Sequence, residues 1–150
     1  MKKAALMLII LGCLAGLSFG QNGDIGLGII LGEPTGLSAK WWTGKTMAFD
    51  AGAAWSFVNG GTFMQIHGDL LFHNFDLFQV DSGKMALYYG FGGRVKFADK
   101  AIVSVRVPIG ISYQFEKTAI ELFLEVVPML DLIPATEVGV SGGAGFRYYF

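Results

Sequence analysis

Val103-Ser104-Val105-Arg106-Val107-Pro108-Ile109-Gly110-Ile111-Ser112-Tyr113-Gln114-Phe115 is the stretch that decides the fold. Every odd position is large and apolar. Every even position is small, polar or charged, or proline. A helix would mix the two sets on one face. A strand separates them completely, because its side chains alternate with period two.

The same alternation recurs along the chain. Met47, Phe49, Ala51, Ala53, Trp55 and Phe57 alternate with Ala48, Asp50, Gly52, Ala54 and Ser56. Leu87, Tyr89, Phe91, Val95 and Phe97 alternate with Tyr88, Gly90, Gly92, Arg94 and Lys96. At the C-terminus Val138, Val140, Ala144, Phe146, Tyr148 and Phe150 alternate with Gly139, Ser141, Gly143, Gly145, Arg147 and Tyr149. Weaker versions run from Ile25 to Leu31, Gly36 to Trp42, Met64 to Phe72 and Ile120 to Leu130. Turn residues separate the segments at Glu33-Pro34-Thr35, Thr43-Gly44-Lys45, Asn59-Gly60-Gly61, Asp81-Ser82-Gly83, Ala98-Asp99-Lys100, Glu116-Lys117-Thr118 and Pro134-Ala135-Thr136. The pattern predicts eight strands in a single all-β domain.

Composition narrows the class. Of 150 residues, 53% are hydrophobic and only 15% charged, against about 25% charged in a typical soluble domain. The 22 glycines argue against a helical core. Aromatic and aliphatic content excludes disorder. A net charge of -1 offers no basic stripe, so nucleic acid is not an expected partner.

Residues 1–20 read as a secretory signal peptide: Lys2 and Lys3 form a basic start, Ala4 to Leu17 an apolar run, and Ser18-Phe19-Gly20 a small-residue cleavage site before Gln21. The alternatives are an N-terminal anchor, for which the run is short, and lipidation at Cys13, for which Leu11 is bulky. Cleavage would leave residues 21–150 without cysteine, hence without disulfide or thiol chemistry.

Eight short-looped strands suggest an antiparallel up-and-down barrel. One face of the strands is dominated by glycine, serine, alanine and a few charges. An eight-stranded interior is just wide enough for side chains of that kind. The bulky apolar face is therefore expected outward, toward lipid, where a closed barrel leaves no backbone group unpaired. Placing the N-terminus in the periplasm puts Trp55, Phe57, Phe63 and Phe97 near the outer rim. It puts Trp41, Phe49, Tyr89, Tyr113, Tyr148 and Phe150 near the inner rim, which makes two aromatic girdles. A β-sandwich with the same aromatics in its core is the competing arrangement.

Signal peptide, alternating strands and the terminal Gly145-Phe146-Arg147-Tyr148-Tyr149-Phe150 together resemble the small eight-stranded outer-membrane β-barrel proteins of Gram-negative bacteria, the OmpA-like and OmpX-like class. The Gly-Glu-Pro-Thr-Gly-Leu stretch at 32–37 also looks like a segment of other bacterial barrel proteins. The resemblance implies a transmembrane barrel in the bacterial outer membrane. It also implies that Phe146, Tyr148 and Phe150 are the signal read by the barrel-assembly machinery. One departure stands out: the longest connection, His73 to Lys84, falls on the periplasmic side and the outer connections are short. That argues against capture or adhesion by outer loops.

By parity the inward charged and polar set is Lys40, Asp50, Gln65, His67, Asp69, Arg94, Lys96, Arg106, Glu121, Glu125, Asp131 and Arg147. Mixed signs imply pairing that plugs the lumen rather than a wide pore. Constant index sums around each turn place Lys40 opposite Asp50, Asp50 beside Asp69, Glu121 opposite Arg147, and Arg106 within about a residue of Asp131. Lys40 is then expected to bridge Asp50 and Asp69. His67 and Asp69, with Ser38 or Ser56 on the same parity, could make a lipid hydrolase or transferase, but no nucleophile motif accompanies them. His67, Asp69 and His73 could ligate a metal only by converging from positions spread along one strand. The glycine clusters at 90–93 and 142–145 lie inside strands and are not phosphate loops. The expectation is a monomeric, non-enzymatic barrel of structural or interaction role, in contact with outer-membrane lipid, using no cofactor or metal. A lipid-active barrel enzyme and a soluble lipocalin-like carrier are the alternatives.

Overall fold

The computed structural model describes residues 23–56 and 62–150. The signal-peptide segment, Phe57 and the Asn59-Gly60-Gly61 turn lie outside the described residues. Within them the fold is all β. The strands are β1 (Ile25–Glu33), β2 (Thr35–Trp42), β3 (Met47–Ser56), β4 (Phe63–Asn74), β5 (Lys84–Phe97), β6 (Ala101–Arg106), β7 (Ile109–Gln114), β8 (Ile120–Ile133) and β9 (Glu137–Tyr149). All pairings are antiparallel: β1 to β5 and β8 to β9 pair in chain order, β6 and β7 each pair with both β5 and β8, and β1 pairs with β9, so the sheet closes on itself. Closure pairs both edges of every strand and removes the free edge that an open sheet would expose.

There are nine strands where eight were expected, because Val103–Phe115 is not one strand. It divides at Val107-Pro108 into β6 and β7. Both halves keep the same register with β5 on one side and, from Ser104 onward, with β8 on the other. They are two halves of one stave, so the wall has eight staves. The cause is proline: it has no N–H to give to the ladder.

Side chains sort by parity as the alternation implies. On β8, Glu121, Phe123, Glu125, Val127 and Met129 are buried, while Leu122, Leu124, Val126 and Pro128 are exposed. The inward face is nevertheless less polar than expected. Leu71, Tyr88 and Phe123 cluster inside with Ile30 packed against them. Glycines opposite make the room. A Cβ at Gly145 would sit 2.5 Å from the Phe123 ring, and one at Gly110 would sit 2.5 Å from the Tyr88 ring.

Outside, the wall carries exposed Leu, Ile, Val, Phe and Trp. Trp55 and Phe97 are exposed at one end, and Trp41, Phe49, Tyr89 and Tyr148 at the other. Phe63, Tyr113 and Phe150 are half-buried. At the second end the long β4–β5 connection folds back. Phe75 lies 6.1 Å from the Trp42 ring and stacks on His73, so aromatic rings cluster at that end.

Candidate functional site

The candidate site is the lumen. Its geometry follows from the hydrogen-bonded rows of residues that run around the wall. One row reads Asp69, Gly92, Arg106 across β4, β5 and β6. Another reads Arg147, Gly28, Ser38 across β9, β1 and β2. A third reads Tyr88, Gly110, Glu125 across β5, β7 and β8. In each, two polar side chains flank a glycine and meet over it. Arg106 Nε lies 3.1 Å from Asp69 Oδ1, Arg147 Nε donates to Ser38 Oγ at 2.8 Å, and the Tyr88 hydroxyl donates to Glu125 Oε2 at 2.9 Å. A Cβ at Gly92 would lie 2.1 Å from Asp69 Oδ1, so glycine is what lets the first pair meet. Serine does the same work between Arg94 and Asp131. Ser104 lies between them in register, donates to Asp131 and accepts from Arg94 Nη2 at 2.9 Å.

The largest cluster spans the barrel. Glu121 is fully buried (0% exposed) and Lys40 nearly so (1%). Lys40 Nζ donates to both Glu121 oxygens, at 3.1 and 3.0 Å. Arg147 Nη1 donates to Glu121 Oε1 at 2.7 Å, and its Nη2 donates to Asp50. Gln114 and Tyr149 also donate to Glu121 Oε2, at 3.1 and 3.2 Å. The Arg147 guanidinium lies 3.8 Å from the centre of the Phe123 ring, and Lys40 Nζ lies 4.5 Å from that of Trp42.

Two expectations need correction. Lys40 does lie opposite Asp50, and Asp50 opposite Asp69, but Lys40 does not bridge them. It reaches past β1 and β9 to Glu121 on β8, over the inward glycines Gly26 and Gly28. Asp50 is held by Arg147 and Asp69 by Arg106 instead. Arg106 is not beside Asp131 either. The register set by the β7–β8 hairpin continues into β6 as far as Ser104, which puts Arg106 opposite Met129 and Asp131 opposite Ser104. Asp131 binds Arg94 at 2.7 Å, and Arg106 turns toward Asp69 and, at 3.8 Å, Glu125.

The catalytic and metal arrangements can be tested on the same geometry. Ser38, one of the two hydroxyls considered as a nucleophile beside Ser56, accepts from Arg147. His67 Nε2 is 3.7 Å from Asp50 Oδ1. His73 is far from that pair in role: its ring packs on Trp42, Phe75 and Tyr88, with Nδ1 3.3 Å from the Thr46 carbonyl oxygen. Asp50, His67 and Asp69 bring one donor atom each within 4.8 Å of one another. Both carboxylates already pair with guanidinium groups, so a cation would have to displace Arg147 and Arg106. The trio does not fit a metal well.

Among solved structures, the chain is similar to the N-terminal β-barrel domain of Pseudomonas aeruginosa OprF, at 11% identity over 87% of this chain and 100% of that one, with a TM-score of 0.61. The fold is that of the small outer-membrane β-barrels. Neisserial surface protein A (16% identity, 85% of this chain and 94% of that one, TM-score 0.49) and Ail of Yersinia pestis (10%, 84% and 95%, TM-score 0.42) are also matched. No family model matches the chain, and no curated protein does.

In this small barrel, sequence reasoning missed Ser104, Gln114, Tyr88 and Tyr149 as members of the lumen network. Their inward parity was the available signal. Phe146 and Tyr148 face outward and are exposed, and the Phe150 amide donates to the Ile25 carbonyl at 3.0 Å, tying the chain end to β1.

Proposed function

We propose that this chain is a non-enzymatic outer-membrane barrel whose lumen is plugged by its own charged side chains, with a structural or interaction role in that membrane. One observation carries the reading: burial is inverted. Lys40, Asp50, Glu121 and Arg147 are buried, whereas Phe91, Leu124 and Val140 are exposed. In water that distribution would be costly on both counts. Against lipid the exposed residues are in their preferred solvent, and the buried charges are paired. A soluble carrier of the lipocalin kind would carry the opposite distribution.

The plug rests on ion pairs that cross the lumen rather than run along the wall. Lys40–Glu121 and Arg147–Asp50 each join staves three apart. The partners of the barrel are outer-membrane lipid and, through Phe146, Tyr148 and Phe150, the barrel-assembly machinery. Residues 1–20 act as the export signal. The expected physical state is a monomer.

Three measurements test this. Membrane fractionation should recover the protein only with detergent; recovery in a soluble periplasmic fraction would overturn the membrane reading. Planar-bilayer recordings should lack large stable conductance steps; a wide open channel would overturn the plug. Phe150→Ala should reduce heat-modifiable barrel in the outer membrane.

A further inference from the structure

Irregularities in the wall among the described residues gather on one stave, β6–β7. Pro108 and Gly90 face each other, and Gly90 donates to the Pro108 carbonyl at 3.0 Å. Val107 and Pro128 face each other, and Val107 donates to the Pro128 carbonyl at 2.9 Å. In an antiparallel ladder each such pair exchanges two bonds. Neither proline can return its bond. The carbonyls of Gly90 and Val107 therefore lack their ladder donors at neighbouring points, midway along β5 and the β6–β7 stave. The β6–β8 register also shifts, at Val103/Ser104.

Among the described residues, buried side-chain polar atoms without a hydrogen-bond partner lie on two staves: His67 Nδ1, Asp69 Oδ1 and His73 Nε2 on β4, and two on the lumen side of β6–β7. Ser112 Oγ on β7 is buried without a hydrogen-bond partner. So is Arg106 Nε on β6, which lies 3.1 Å from Asp69 Oδ1 but is not aligned to donate to it. The two wall carbonyls in need of donors thus lie on this stave and on the β5 edge that faces it, and two buried polar atoms in need of partners lie on the stave itself. Water supplies both a donor and an acceptor, and buried water commonly bridges such groups. Lipid acyl chains at that depth supply neither.

We propose that the β6–β7 stave is a hydrated seam: water from the lumen binds at the Gly90 and Val107 carbonyls, and the wall parts there before it parts elsewhere. The proposal rests on the outward face of the barrel meeting lipid. Its ligand is water held in the wall.

Strand β8 carries its own control. Its even-numbered residues hydrogen-bond toward β6–β7, as at Ile120 and Pro128, and its odd-numbered ones toward β9. Residue-resolved hydrogen–deuterium exchange on the protein in lipid nanodiscs should show Leu124, Val126 and Leu130 exchanging about tenfold faster than Phe123, Glu125 and Val127. Pro108→Val with Pro128→Val should shrink that difference several-fold. Equal even and odd rates in the unaltered protein would overturn the seam, and that arm does not depend on the variant folding. A variant that folds and leaves the difference unchanged would overturn the role of the prolines. Flotation of the same protein with liposomes reads the lipid-facing premise separately.

Discussion

The two flanks of β8 differ sharply although they belong to one strand. Toward β9 the ladder runs without interruption from Ile120 opposite Tyr148 to Asp131 opposite Glu137. Toward β6 and β7 it is broken at proline and displaced at Val103/Ser104. Residue preference alone would rank these flanks the other way. β9 contains Gly139, Gly142, Gly143 and Gly145, which are poor strand residues. The β6–β7 stave is built from Val, Ile, Ser and Tyr, which are better ones on the whole. The supply of N–H donors outweighs intrinsic preference here. Glycine keeps its donor and gives the opposite side chain room; proline removes the donor whatever surrounds it.

The β9 flank is also fastened inside the lumen, by Arg147 on Glu121. Breaking that fastening should have the largest effect. Glu121→Gln leaves buried Lys40 without its carboxylate and Arg147 with only Asp50, and should cost about 3–5 kcal/mol. Adding Arg147→Gln should recover little of the loss, because Lys40 stays unpaired and Asp50 loses its guanidinium. Lys40→Met should recover more. Urea unfolding of the refolded barrel in liposomes measures all three, and a double-mutant cycle without coupling between positions 40 and 121 would contradict the cross-lumen pair.

The wall itself can be tested next. Val107→Arg puts a charge on the outward face near mid-wall and should destabilise by roughly 2–4 kcal/mol in the same assay. A milder effect than that of an equally placed inward change would mean the faces are reversed.

A smaller effect separates two kinds of glycine. A Cβ at Gly92 would collide with Asp69 and with the Gly68 carbonyl, so Gly92→Ala should cost about 1–3 kcal/mol. At Gly93, one residue on and facing outward, the nearest atom to a Cβ is 3.7 Å away. Gly93→Ala should be neutral or stabilise by about 0.4–1 kcal/mol. Equal costs would contradict the lumen packing around Arg106.

The smallest change sharpens the comparison directly. Pro128→Val returns one ladder bond to Val107 and should stabilise by about 1 kcal/mol, making the β6–β7 flank more like the β9 flank. A loss of stability would mean that the break relieves strain elsewhere in the wall.

The sequence by itself determined whatever depends on period two and on near neighbours. Alternation in Val103–Phe115 and Ile120–Leu130 assigns each residue to one face, because successive strand side chains point opposite ways. Turn positions place Lys40 opposite Asp50 and Glu121 opposite Arg147, because a hairpin's register is set locally. The tertiary structure alone decided which charges meet. Lys40 finds Glu121 rather than Asp50 or Asp69, and Arg106 finds Asp69 rather than Asp131. Those pairings depend on how far the sheet has curled and on the stagger added around the circuit. Each is a property of the closed ring, to which every stave contributes, and no single stretch of residues encodes it.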